Sequence, residues 1–206
     1  MNGEELRQQL EAANLEAARA AVGHVPLHAA SVEQVGAVVA FAGRSRAGKS
    51  TLATAAVLAG YGYVADEITA VSPVDLKVRP FHRPIGLRRG GAAAIGVDYP
   101  DSDDGRYDQV YPWDVDEVLT RSLGGTLVGI VLVEWGGDHE PSLADVAPAR
   151  GLVELSQHTV IPDEQLAPAF GALDSIVRRV PIARMQYRTT AEGLDLLSEA
   201  FLRWAS

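Results

Sequence analysis

Eight residues constrain this chain more than any others: Gly43-Arg44-Ser45-Arg46-Ala47-Gly48-Lys49-Ser50. They match the pattern G-x-x-x-x-G-K-[ST] at every fixed position. Such a loop needs a buried strand to deliver the chain into it and a helix to carry the chain away. Its glycines let the backbone curl until successive N–H groups point inward at phosphate oxygens. The lysine then reaches the β- and γ-phosphates of a nucleotide, and the hydroxyl after it holds Mg²⁺. The helix that follows favours the same anion through its N-terminal dipole.

Both flanks have the required character. Residues 35–42 are a short apolar run that predicts a buried strand. Residues 51–59 predict a helix, stopped by Gly60. The candidate nucleotide contacts are therefore Gly43, Arg44, Ser45, Arg46, Ala47, Gly48, Lys49, Ser50 and Thr51. Arg44 and Arg46 read equally well as solvent-exposed loop tips.

A length of 206 residues fits one domain, 1–206, with enough chain to bury a core. There is no run of eighteen apolar residues, so no membrane span is expected. The start, Met1-Asn2-Gly3-Glu4-Glu5, lacks the apolar core of a signal peptide. With no cysteine, disulfides, thiolate zinc sites and cysteine nucleophiles are excluded together. A cytoplasmic location is the expectation. The net charge of −9 argues against a nucleic-acid partner, which needs a basic footprint. It does not argue against a nucleotide, because Arg44, Arg46 and Lys49 concentrate positive charge in the loop.

Along the chain, residues 4–22 carry apolar side chains at helical spacing, and the N-terminal helix 1–23 should close at Gly23. It suits packing across a sheet; a dimerising or partner-binding helix is the alternative. Residues 25–30 predict a short strand containing His28, either a core histidine or one within reach of the phosphates. After the loop's helix, apolar residues surround the acid pair Asp66-Glu67. A carboxylate buried there needs a cation or donors. Mg²⁺ beside Ser50 would supply one, and the second acid could take a proton from an acceptor hydroxyl. Glu134, at the end of the longer apolar strand 127–134, competes as the key acid. Sequence pattern alone leaves Asp66 and Glu134 both open.

Residues 74–87 carry Pro80 and Pro84 and predict an extended edge segment or a loop. With Arg79, His82, Arg83, Arg88 and Arg89 this region is the densest basic cluster, suited to nucleotide, an anionic acceptor or solvent. The acidic stretch 98–108 reads as a solvated loop and a candidate lid. Helices are expected over 142–158, broken near Pro148, over 163–179 and over 189–204, with a late strand at 180–187. His139 and His158 read as isolated, without a partner at metal spacing.

The stretch from Leu27-His28-Ala29-Ala30-Ser31 through the glycine loop to Val64-Ala65-Asp66-Glu67 resembles the HPr kinase/phosphorylase family and its shorter kinase-like relatives. The likeness is specific over residues 27–71, loose to about 90, and beyond 100 rests on the order of elements alone. It implies an α/β P-loop fold of the type shared with phosphoenolpyruvate carboxykinases, with a mixed central sheet flanked by helices. It also implies ATP and Mg²⁺ as cofactors and transfer to a serine hydroxyl on a peptide or protein. On that reading Lys49 binds the β/γ-phosphates, Ser50 holds Mg²⁺, Asp66 is the general base, Glu67 helps place the metal and His28 sits near the phosphates. Two departures stand out: the family's second acid is usually Asp, and its glycine-rich phosphorylase segment has only a faint echo in 86–96. The expected function is therefore a kinase without phosphorylase activity. A nucleotide-binding regulatory module with little turnover and a small-molecule kinase are the alternatives.

Overall fold

Phe41 and its neighbours make the centre of the molecule. In the computed structural model, which describes residues 8–14, 16, 21–98, 121–159 and 166–205, every residue of strand β3 (Ala37–Ala42) is buried. A strand that apolar throughout has to be covered on both faces. Val39 and Phe41 point into one core with Leu52, Ala56, Met185, Leu197 and Phe201. Val38, Ala40 and Ala42 point into the other with Leu127, Ile130, Leu155 and Ile176. The result is a mixed α/β fold, a central mixed sheet with helices on both sides.

The described residues build a nine-stranded sheet. Before β3 come β1 (Val25–Leu27) and β2 (Ala29–Gln34). After it come β4 (Gly62–Ala65), β5 (Thr69–Val71), β6 (Lys77–Arg79), β7 (Gly125–Trp135), β8 (Ser142–Asp145) and β9 (Ile182–Tyr187). β2 pairs antiparallel with both β3 and β4. On the other side of β3 lies β7, parallel to it. β7 has eleven residues and serves two partners along one edge: Gly125 and Thr126 pair antiparallel with β6, and Ile130 to Trp135 pair parallel with β9. β3, β7 and β9 thus run the same way and end side by side.

Helix α1 (Lys49–Leu58) leaves the glycine loop and packs with α5 (Thr190–Trp204) on one face. Between them in the chain lie α2 (Arg89–Ala94), α3 (Pro148–Ser156) and α4 (Leu166–Val177). The last two cover the opposite face through Leu155, Leu173, Ile176 and Val177. α5 opens with a full capping box, in which the Thr189 side chain accepts from the Glu192 N–H and Glu192 reaches back to the Thr189 N–H.

Several expectations are corrected. The strand predicted over 25–30 is two strands, broken by a bend at His28. Lys77–Arg79 is not an edge: it lies between β5 and β7, and its prolines sit beyond its last residue, where no ladder bond is lost. Residues 142–145 form strand β8 on β9 rather than the start of a helix. Of the N-terminal helix, residues 8–14 are helical. The rest of it up to 20, apart from residue 16, lies outside the described residues, as does the candidate lid beyond Asp98. No helix among the described residues is long and apolar enough to cross a membrane.

One contact on the α5 face can be tested directly. The indole of Trp204 lies on Gly129 of β7, and a Cβ there would stand 2.1 Å from its ring. Gly129→Ala should lower unfolding free energy by about 1–3 kcal/mol through overpacking, read by urea titration.

Candidate functional site

The glycine loop begins where β3 ends, and its shape is set by close approaches. A Cβ on Gly43 would stand 2.9 Å from the Val133 carbonyl oxygen of β7. Gly48, at φ 95°, takes a left-handed turn that side chains disfavour, and an added Cβ would meet the Tyr187 hydroxyl at 2.7 Å. Gly48 also stands at the N-terminus of α1 without a side-chain cap, and no acid occupies the first turn. The helix therefore presents uncapped N–H groups beside the loop, an arrangement that suits an oxyanion.

Lys49 is 7% exposed, and its Nζ donates to the loop's own carbonyls, Gly43 O at 2.9 Å and Arg44 O at 3.2 Å. Burial pushes its ammonium below the ordinary value, while Glu67 and Asp66 pull it back up. The Ser50 hydroxyl donates to Asp66 Oδ1 at 3.0 Å. Asp66 follows β4 directly and is 1% exposed. Its other oxygen, Oδ2, is buried without a hydrogen-bond partner. Burial, and then the charge of Glu67, push this carboxyl up to about 6, against the stabilising pull of Arg83, the Ser50 hydroxyl and Lys49.

Glu67 takes a left-handed backbone, φ 77°, unusual for a residue with a side chain. The turn carries its carboxylate to His28, with Oε2 3.3 Å from Nδ1. His28 sits at the bend between β1 and β2, where its N–H donates to the His158 carbonyl at 2.5 Å. Burial lowers the His28 imidazole below its usual range; Glu67 opposes this, and Lys49 and Arg83 add to it.

These groups face a cavity of about 770 Å³. Its walls include Ser45, Arg46, Gly48, Lys49, Ser50 and Thr51 from the loop region, with His28 and Glu67 at one end. Of the remaining loop positions, Gly43 is buried at the strand end, Ala47 packs on the core and Arg44 is exposed, and none of the three lines the cavity. Asp66 lies behind Ser50, outside the lining. The basic cluster divides. Arg88 and Arg89 line the cavity beside Gly91, where an added Cβ would meet Thr51 Oγ1 at 2.4 Å. Arg83 is buried and donates to Asn14 Oδ1 and the Pro84 carbonyl. Arg79 is exposed on β6, and the His82 Nε2 meets the Tyr63 carbonyl at 3.0 Å. Glu134 is held elsewhere, by Arg184 and by Gln186 Nε2 at 2.8 Å.

Two large side chains at the cavity, and one residue behind it, escaped the sequence reading. Trp135 and Tyr187 arrive there because they end β7 and β9, beside the loop that ends β3. Residues at the carboxyl ends of parallel strands carry that signal in principle. His158, outside the cavity lining, had no signal: its carbonyl accepts from the His28 backbone N–H across 130 positions of chain, and Lys49 and His28 are among the charges that, after burial, lower its imidazole.

Among the described residues no group of three or more His, Asp or Glu side chains gathers as a metal cluster. The Ser50 hydroxyl and the Asp66 carboxylate, with one buried oxygen unpaired, are hard oxygen donors of the kind Mg²⁺ takes alongside phosphate oxygens. They fit that ion.

No protein-family model and no curated protein sequence matches the chain. Among solved structures it is similar to the HPr(Ser) kinase/phosphatase from Coxiella burnetii, at 12% identity over 86% of this chain and 93% of that one. The TM-score is 0.37, a likeness too loose to add to what the site's own geometry says.

The Asp66 carboxyl gives a pH prediction. Between its ordinary 3.8 and about 6 the folded protein holds a proton that the unfolded chain has released. Stability from this group therefore falls as pH rises through that window, by up to roughly 3 kcal/mol. In chelator, Asp66→Asn should gain stability on the wild type between about pH 4 and pH 7, measured by urea unfolding at each pH.

Proposed function

We propose that this chain is an ATP- and Mg²⁺-dependent kinase that phosphorylates a hydroxyl, on a peptide or protein. The observation that carries the reading is Asp66: a buried carboxylate, bonded to Ser50 at the mouth of a lysine-bearing glycine loop, with one oxygen unpaired. A carboxylate is costly to bury in that state unless a cation or a proton donor completes it.

The roles follow from position. The loop N–H groups and the start of α1 cradle phosphate, and Lys49 turns from the loop carbonyls toward the β/γ-phosphates. Ser50 holds the ion, with Asp66 and Glu67 as the acids beside it, and Mg²⁺ would supply charge neutralisation on the transferred group. Asp66, raised to about 6, is ionised at neutral pH yet basic enough to accept a proton from an acceptor hydroxyl. His28 holds Glu67 in place. Arg46, Arg88 and Arg89 add positive charge to the cavity wall. Most of the rate would come from positioning and charge stabilisation, as phosphoryl transfer requires.

One observation favours a different division of the acids. Glu67 and His28 line the cavity and Asp66 does not. On that division Asp66 serves only the metal, and Glu67 takes the proton.

Transfer to a peptide library from labelled ATP, with nucleotide binding by calorimetry, tests all of this. Lys49→Ala should remove most ATP affinity. Asp66→Asn should cost about 10²–10⁴-fold in transfer and leave Mg²⁺-dependent ATP affinity within a few-fold. If Asp66→Asn instead abolishes the Mg²⁺ effect on binding, and Glu67→Gln stops transfer with binding intact, the second division holds. Binding and slow ATP loss without a phosphorylated acceptor would sink the kinase reading in favour of a regulatory module.

A further inference from the structure

The cavity is longer than its chemistry. Ser50, Glu67 and His28 gather at the end beside β2 and β4. β7 and β9 lie on the other side of β3 from β2 and β4, and the lining residues there are Trp135 and Tyr187, which end those two strands, with Thr190 close after Tyr187 in the chain. Trp135 leaves 55% of its surface exposed, whereas Tyr187 is 4% exposed and offers the cavity little area. The indole is not loose: its Nε1–H donates to the Arg188 carbonyl at 3.0 Å, and Gly48 lies against its Cβ side. Its one polar atom is thus already engaged. What it presents is a fixed aromatic surface a few ångströms from the loop, in a wall whose other half is charged.

We propose that Trp135 is the stacking platform for the nucleobase of the bound nucleotide. The proposal rests on the phosphate-binding reading of the glycine loop and adds the part of the ligand that loop does not contact. With the phosphates at Gly48–Ser50 and the acids beyond them toward β2 and β4, a nucleoside at the other end comes to the Trp135 side. A base offers a flat π-face of its own, and a pre-positioned indole binds it with little ordering cost. Because every base has such a face, Trp135 would favour nucleotides over bare polyphosphate without choosing strongly among bases.

The experiment is calorimetry on the full chain, in Mg²⁺, with ATP and with inorganic triphosphate as separate ligands. Three proteins are compared: wild type, Trp135→Ala and Trp135→Phe. The wild type should bind ATP more tightly than triphosphate. Trp135→Ala should weaken ATP by roughly ten-fold or more while triphosphate changes by less than about two-fold, and Trp135→Phe should recover most of the ATP loss. Equal weakening of both ligands would make Trp135 a buttress for the loop, and unchanged ATP affinity would leave it without a role; either result overturns the proposal alone. A wild type that binds neither ligand overturns the phosphate-binding reading, and the proposal with it.

Discussion

A carboxylate with 1% exposure and an unpaired oxygen is the expensive feature of this molecule, and much of the nearby structure limits its cost. Ser50 donates to one oxygen, and Arg83 and Lys49 supply positive charge from two sides. Arg83 is itself held by Asn14 and the Pro84 carbonyl, so part of the N-terminal segment and the proline-flanked segment after β6 both bear on the site. Even so, burial and Glu67 together outweigh those contacts, and the carboxyl stays well above its ordinary value. A fold selected only for stability would place an apolar residue or a solvated acid here. That the acid persists is the physical reason to look for function at this spot and not at Glu134. Glu134 is met by Arg184 and Gln186 and asks for nothing more.

The parts of the fold that local pattern could reveal were those with strong local causes. β3, the glycine turn and α1 are written in consecutive residues: an apolar run, fixed glycines, then alanine-rich helix. The capped helix α5 is likewise self-announcing through Thr189 and Glu192. The errors fall where a distant strand decides. Ser142–Asp145 becomes a strand because β9 offers an open edge, and nothing within those four residues says so. Lys77–Arg79 looked peripheral because of Pro80 and Pro84, yet the strand ends before the first of them.

The site divides in the same way. Lys49 and Ser50 could be named from the loop motif itself, whereas His28, Asp66 and Glu67 were candidates that only the family resemblance set ahead of Glu134; the structure brings these five near one another. Trp135, Tyr187 and His158 could not, since their nearness depends on the parallel register of β3, β7 and β9 and on where α3 ends. The basic cluster shows the limit most clearly. Five cationic or imidazole side chains within eleven positions look like one patch, but only Arg88 and Arg89 reach the cavity. The course of the segment after β6 and the burial of Arg83 send the others elsewhere.

An acidic chain need not present negative charge at every part of its surface. The chain carries a net charge of −9, yet among the described residues the cavity wall has Arg46, Lys49, Arg88 and Arg89 beside one acid, Glu67. Field lines in a cleft are shaped by its nearest charges and low-dielectric walls more than by the total. A surplus of positive charge at the loop and negative charge elsewhere would draw a polyphosphate to one place and repel it from the rest of the surface.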